Sequence, residues 1–174
     1  MTREILLGTS SFIRKQILSD MGYHLTHSLT ADLDERSLGS RDSASDAPAL
    51  VTLLAKAKAD AIVQKIQKIQ KIQKIRKKEL INENEKEKTN NNPSNDFPVL
   101  LLTADSVVTF QDDILEKPDS LEMAASFLKS YGSGNPVSIV SGICITNIVT
   151  GIQHQVSGVS GNEILDYLKW FPLL

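Results

Sequence analysis

The order of patterns along this chain predicts a mixed α/β fold, with helices packed around a curved central sheet and a cleft at the strand ends. Three observations carry that expectation. Short apolar runs at residues 4–7 and 97–110 suit buried strands. Between and after them, apolar residues recur at three- and four-residue spacing, which marks amphipathic helices. Clusters of Gly, Pro, Ser, Asn and Asp separate these stretches and give the order β-α-β-α-insert-β-β-α-β-β-α.

The 174 residues are enough for one domain with its own core, and 41% apolar with 23% charged residues is ordinary for a globular chain. No apolar run approaches the roughly 20 residues that span a bilayer, and no signal-peptide pattern opens the chain. The expectation is therefore a cytoplasmic protein with no membrane partner. The single cysteine, Cys144, lies in an apolar run; it excludes an internal disulfide and suits a reduced core residue. The net charge of −2 hides an asymmetry: residues 65–88 hold nine of the 19 Lys/Arg and four of the 21 Asp/Glu. The acidic remainder argues against nucleic-acid binding there, and its cations need local reasons.

Taken in order, Glu4 to Leu7 forms the first strand and Gly8 its bend. Three hydroxyl residues, Thr9, Ser10 and Ser11, precede Phe12, Ile13, Ile17 and Leu18 at helical spacing, so Ser10 or Ser11 is the expected N-cap. Such a junction presents backbone N–H groups to an anion. Arg14 and Lys15 fall in the first turn, where the helix dipole disfavours cations by about 0.3–1 kcal/mol each, a cost that a bound phosphate reverses. The same residues also fit a plain capped junction with a solvated arginine. Tyr23 to Ser28 reads as a strand, followed by an acidic loop. Its Asp32, Asp34 and Glu35 suit either a hard divalent cation shared with phosphates or a solvated loop.

Pro48 suits the first position of a helix whose apolar face is Leu50, Leu53, Leu54, Ala57 and Ala61, with Lys56 and Lys58 elsewhere on the wheel. From Gln64 a Gln-Lys-Ile repeat places Ile66, Ile69, Ile72 and Ile75 three apart; each step drifts by about 60° around a helix, so no fixed stripe faces the core. Residues 64–80 are read as a mostly solvated extension of the preceding helix, and 82–96 as a linker. Together 64–96 form a low-complexity insertion. It fits a tolerated repeat; an interaction module whose basic helix 64–80 docks on RNA or an acidic membrane is the alternative.

Residues 97–110 form an apolar strand with one carboxylate, Asp105, at its middle. Burying a carboxylate is costly without a metal, a cation or several donors, so either Asp105 has such a role or the strand ends at Ala104. Gln111-Asp112-Asp113 makes a hairpin turn returning to Glu116-Lys117-Pro118. Asp119 can then cap a helix, with Glu122 as capping-box partner and Leu121, Ala124, Ala125, Leu128 and Tyr131 as its buried face. Gly132 to Pro136 breaks that helix. Val137 to Ile148 and Gln153 to Val159 are strands joined at Thr150-Gly151, and Ile164 to Phe171 is a last helix capped by Asn162. His24, His27 and His154 lack metal-ligand spacing.

Five of these stretches, in this order, resemble the motifs of the Maf (septum-formation-type) nucleoside triphosphate pyrophosphatases: LGTSSFIRKQIL at residues 7–18, DLDE ending at Glu35, LAKAKA ending at Ala59, TADSVV around Asp105, and KPDSLEMA from Lys117. The resemblance spans residues of about 4 to 145, and it is the ordered set rather than any one motif that is specific. It implies a Maf/ITPase-like fold and hydrolysis of a nucleoside triphosphate, ordinary or modified, to the monophosphate and pyrophosphate. It implies Asp105 and Glu35 as catalytic carboxylates that also bind Mg²⁺ or Mn²⁺. Ser10, Ser11, Arg14, Lys58 and Lys117 are the implied substrate-binding residues, and a homodimer is the implied assembly.

Two departures stand out. Ile13 replaces the first of two adjacent arginines common in the first motif, leaving Arg14. Family members also continue with a K-A-G-x-Y-like segment and a substrate-contacting glutamine without counterpart here. The expectation is a single C-terminally truncated domain over 1–174, either a weak pyrophosphatase or a catalytically impaired nucleotide-binding form.

Overall fold

β1 (Glu4–Leu7) is four residues long and carries Ile5, Leu6 and Leu7, all buried. A strand this apolar suits the interior of a parallel arrangement, and β1 pairs in parallel with β2 (His24–Ser28) on one side and β3 (Leu100–Phe110) on the other. The computed structural model describes residues 4–83, 99–132 and 134–161. Between β1 and β2 lies α1 (Phe12–Asp20). Two short 3₁₀ turns, Glu35–Ser37 and Ala44–Asp46, lead into α2 (Ala47–Glu83). β3 turns at Gln111 into β4 (Asp113–Leu115), its antiparallel partner; α3 (Leu121–Tyr131), β5 (Val137–Asn147) and β6 (Gln153–Gly161) complete the order.

The six strands form one mixed sheet in the order β2-β1-β3-β5-β6, with β4 on β3. The fold class read from the sequence is therefore what the structure has. Val99 opposes Ile148, Thr103 opposes Cys144 and Ser106 opposes Ser141, so β5 runs antiparallel to β3. No helix among the described residues is long and apolar enough to cross a membrane.

The chain divides into two units: residues 1–33, 58–102 and 145–153 in the first, and 34–57, 103–144 and 154–174 in the second. In the first, Leu6, Leu7 and Leu101 are buried with Ala59, Ile62 and Ile66 of α2. Gln153 there donates a hydrogen bond to Asp60 at 2.7 Å. In the second, Ala47, Leu50, Val51 and Leu54 of α2 pack with Val107 of β3 and Val140 of β5. Gly142 makes that packing close: a Cβ there would lie 2.5 Å from the Val51 carbonyl, so only glycine admits the helix backbone. Thr103, fully buried, donates its hydroxyl to the Ala55 carbonyl at 2.7 Å, which keeps a polar atom in this core satisfied.

Several expectations are corrected. The buried face of α2 is Leu50, Val51, Leu54, Ala55, Ala59, Ile62 and Ile66; Leu53 is exposed and Ala57 and Ala61 are half-buried. Flanking elements, not the leucines alone, choose which of two adjacent apolar stripes faces inward. The helix does continue through the repeat to Glu83, and the drift shows in its isoleucines: Ile66 is fully buried, whereas Ile72 is 50% exposed. α1 buries none of its residues, and α3 leaves Leu121 86% exposed and Leu128 outward too. An amphipathic pattern names a face, not the surface that covers it. Of the expected α3 face, Ala125 is exposed as well, while Tyr131 is half-buried with its ring edge-on to Phe110. The cap of α3 is Ser120, whose side chain accepts from the Met123 N–H, in place of Asp119. The expected helix at 164–171 and most of the expected linker lie outside the described residues.

Candidate active site

The first unit holds Ser10, Ser11, Arg14 and Lys58. Parallel β1 ends at Leu7, Gly8 donates its N–H to the Leu102 carbonyl, and the chain turns through Thr9, Ser10 and Ser11 into α1. Ser11 is the N-cap: its hydroxyl accepts from the Arg14 N–H, and its own N–H donates to the Thr9 hydroxyl. The Arg14 guanidinium folds back to donate to the same Thr9 hydroxyl at 3.3 Å. Ser28 at the end of β2 donates to the Thr9 carbonyl at 2.9 Å. The turn is thus held by its own side chains, with the positive end of the helix dipole and a cation at one place, an arrangement that suits a phosphate. Lys58 stands half-buried on α2 in the same unit.

The second unit holds Glu35, Asp105 and Lys117. Asp105 is 8% exposed at the middle of β3, which continues unbroken to Phe110, so the alternative of a strand ending at Ala104 is excluded. Strand periodicity puts Asp105 on the face shared by Thr103 and Val107, the side toward α2. Lys117 is exposed just after β4, ahead of the Ser120 cap. Glu35 opens the first 3₁₀ turn and is half-buried. Among the described residues no three His, Cys, Asp or Glu side chains gather as a closed metal site. Asp105 and Glu35 carry hard oxygen donors, the ligand type that Mg²⁺ and Mn²⁺ take.

The sequence reading missed how this second group is braced. Arg41 donates from Nε to Glu116 at 2.9 Å, from Nη2 to the Glu35 carbonyl at 2.9 Å and from Nη1 to the Leu38 carbonyl at 2.6 Å. Ala44 donates its N–H to the Asp112 carbonyl and Ser43 its hydroxyl to the Asp112 carboxylate. Arg36 pairs with Asp119 at 2.6 Å at an exposed position. The available signal was charge: two arginines within an acidic stretch, each facing a carboxylate distant in sequence.

The chain is similar to proteins named as nucleotide pyrophosphatases. A 7-methyl-GTP pyrophosphatase of Dictyostelium discoideum is 31% identical over 150 residues, covering 86% of this chain and 62% of that protein. A dTTP/UTP pyrophosphatase of Ruminiclostridium cellulolyticum is 36% identical over 70 residues, covering 38% of this chain and 36% of that relative. The chain thus spans less than two thirds of the length of either relative. The family described as Maf-like protein matches residues 4–169, nearly the whole chain. With its ordered motifs carried on a mixed sheet, the chain belongs to the Maf family.

Proposed function

We propose that this chain hydrolyses a nucleoside triphosphate to the monophosphate and pyrophosphate. The observation that carries the reading is Asp105, a carboxylate buried at the middle of β3 in the same unit as Glu35 and Lys117. In the reaction water attacks the α-phosphorus, the bond to the β-phosphate oxygen breaks, and pyrophosphate leaves with that oxygen. The obstacle is negative charge around the phosphorus. Lys117, in the unit of Asp105 and Glu35, offsets the charge of the phosphate chain; Arg14 and Lys58, in the other unit with the Ser10–Ser11 turn, carry the cations and hydrogen-bond donors that suit a phosphate. Asp105 and Glu35 divide two tasks, orienting the attacking water and taking its proton. The same two carboxylates would hold Mg²⁺ or Mn²⁺, whose chemistry is to polarise phosphate oxygens.

The similarity to a 7-methyl-GTP pyrophosphatase supports a modified guanine nucleotide as the first substrate to try. The test is pyrophosphate release from 7-methyl-GTP, dTTP, UTP and CTP with Mg²⁺ or Mn²⁺. Turnover is expected on at least one of these, lost on chelation with EDTA and reduced by a factor of at least about 10² in Asp105→Asn. A folded protein that releases no pyrophosphate from any of them refutes the proposal. Calorimetric binding without turnover would instead identify a nucleotide-binding form.

A further inference from the structure

We infer that Arg41 is a positioning residue that sets Glu35 against the segment after β4 that carries Lys117. The inference rests on the proposed roles of Glu35 and Lys117. Its physical basis is the direction in which the backbone of residues 35–39 points. The carbonyls of Glu35, Leu38 and Gly39 all converge on one guanidinium, at 2.9, 2.6 and 3.4 Å. The Glu35 carbonyl also accepts the Leu38 N–H at 3.3 Å, so it is bound from two sides. A carbonyl held twice fixes the peptide plane after Glu35, and with it the direction of the bond from Cα to the side chain.

The guanidinium reaches across to the other segment as well. Its Nε donates to Glu116, 75 residues on, immediately before Lys117. Both side chains are mostly covered, at 22% and 33% exposure, so the pair is screened less than a surface pair such as Arg36–Asp119 at 69% and 63%. One planar side chain therefore joins the two segments with donors aimed in fixed directions. Lysine cannot reproduce this: it offers a single rotating ammonium in place of a planar fork. Glu116 supplies the charge that lets the cation remain among carbonyls.

The experiment uses the full chain carrying Arg41→Lys, Glu116→Gln, Glu35→Gln, and Arg41→Lys in the Glu35→Gln background. Arg41→Lys is expected to lower kcat at least tenfold with KM changed less than threefold. Measured in single turnovers with enzyme in excess, it should change the Glu35→Gln rate less than twofold, since a residue acting through Glu35 has nothing left to position. Glu116→Gln, a milder lesion, should lower kcat about threefold and serves if Arg41→Lys does not fold. Independently, amide exchange at residues 35–41 should accelerate at least tenfold in Arg41→Lys while β3 and α2 keep their protection. Unchanged kcat in the single variant, or an equal loss with and without Glu35, overturns the inference. If the native chain hydrolyses no nucleotide, the proposed function fails by itself, and the exchange measurement alone then decides the brace: unaltered exchange at 35–41 rejects it.

Discussion

Gly142 offers the sharpest test of the packing of the second unit. Alanine at this position places its Cβ 2.5 Å from both the carbonyl carbon and oxygen of Val51, and 2.7 Å from the Thr52 nitrogen. Ordinary contact begins at 3.4 Å, so the helix backbone must retreat by roughly 0.9 Å. No side-chain rotation relieves the clash, because all three opposing atoms belong to the backbone of α2. Overpacking by a single methyl group costs about 1–3 kcal/mol, and a rigid backbone neighbour puts this case at the upper end. For a chain of this length each kcal/mol moves Tm by about 2–4 °C, so Gly142→Ala should melt about 6–12 °C lower. Gly158→Ala is the control: nothing lies within 4 Å of its new Cβ, and its stability should stay within about 0.5 kcal/mol. Paired thermal melts by circular dichroism read both. A Gly142→Ala variant that melts with the native chain refutes the close approach of α2 to β5.

The repeat in α2 gives a graded counterpart. Ile66→Ala, at a fully buried site, should cost about 2–5 kcal/mol in urea unfolding, whereas Ile72→Ala, half-exposed two repeats further on, should change stability by less than about 0.5 kcal/mol. Tyr131 sets an alkaline limit. Desolvation against Phe110 raises its phenol above the ordinary 10.0, so the contribution is complete below that pH and is lost as pH rises through the folded value. Tyr131→Phe should remove that alkaline component of the pH–stability profile, leaving the profile below pH 9 unaltered.

The residues explain which readings survived contact with the structure. Elements were legible where the signal is local: Glu4–Leu7, a cap at Ser10 or Ser11 and the turn at Gly151 follow from short-range patterns, whereas the sequence left open whether β3 runs through Asp105 and named Asp119 where Ser120 is the cap of α3. The ordered motifs named the candidate site residues, of which Ser10, Ser11, Arg14 and Lys58 lie in one unit and Glu35, Asp105 and Lys117 in the other. Arg41 was not legible. Its partners are three backbone carbonyls and one glutamate far along the chain, and carbonyls carry no sequence signature.

α2 draws the dividing line between the two kinds of information. Sequence alone placed a helix from Pro48 with an extension to residue 80, three residues short of its observed end at Glu83, and required the isoleucines of its repeat to drift around it, because propensity and a three-residue period against 3.6 per turn are local facts. Tertiary structure decided that Val51, Ala55 and Ala59 face inward while Leu53 does not, and that Ile66 is the last fully buried isoleucine of the repeat. The burial of a helical face is decided by what approaches it. Here that includes a glycine on β5 and a threonine on β3, brought to α2 only when the sheet has formed.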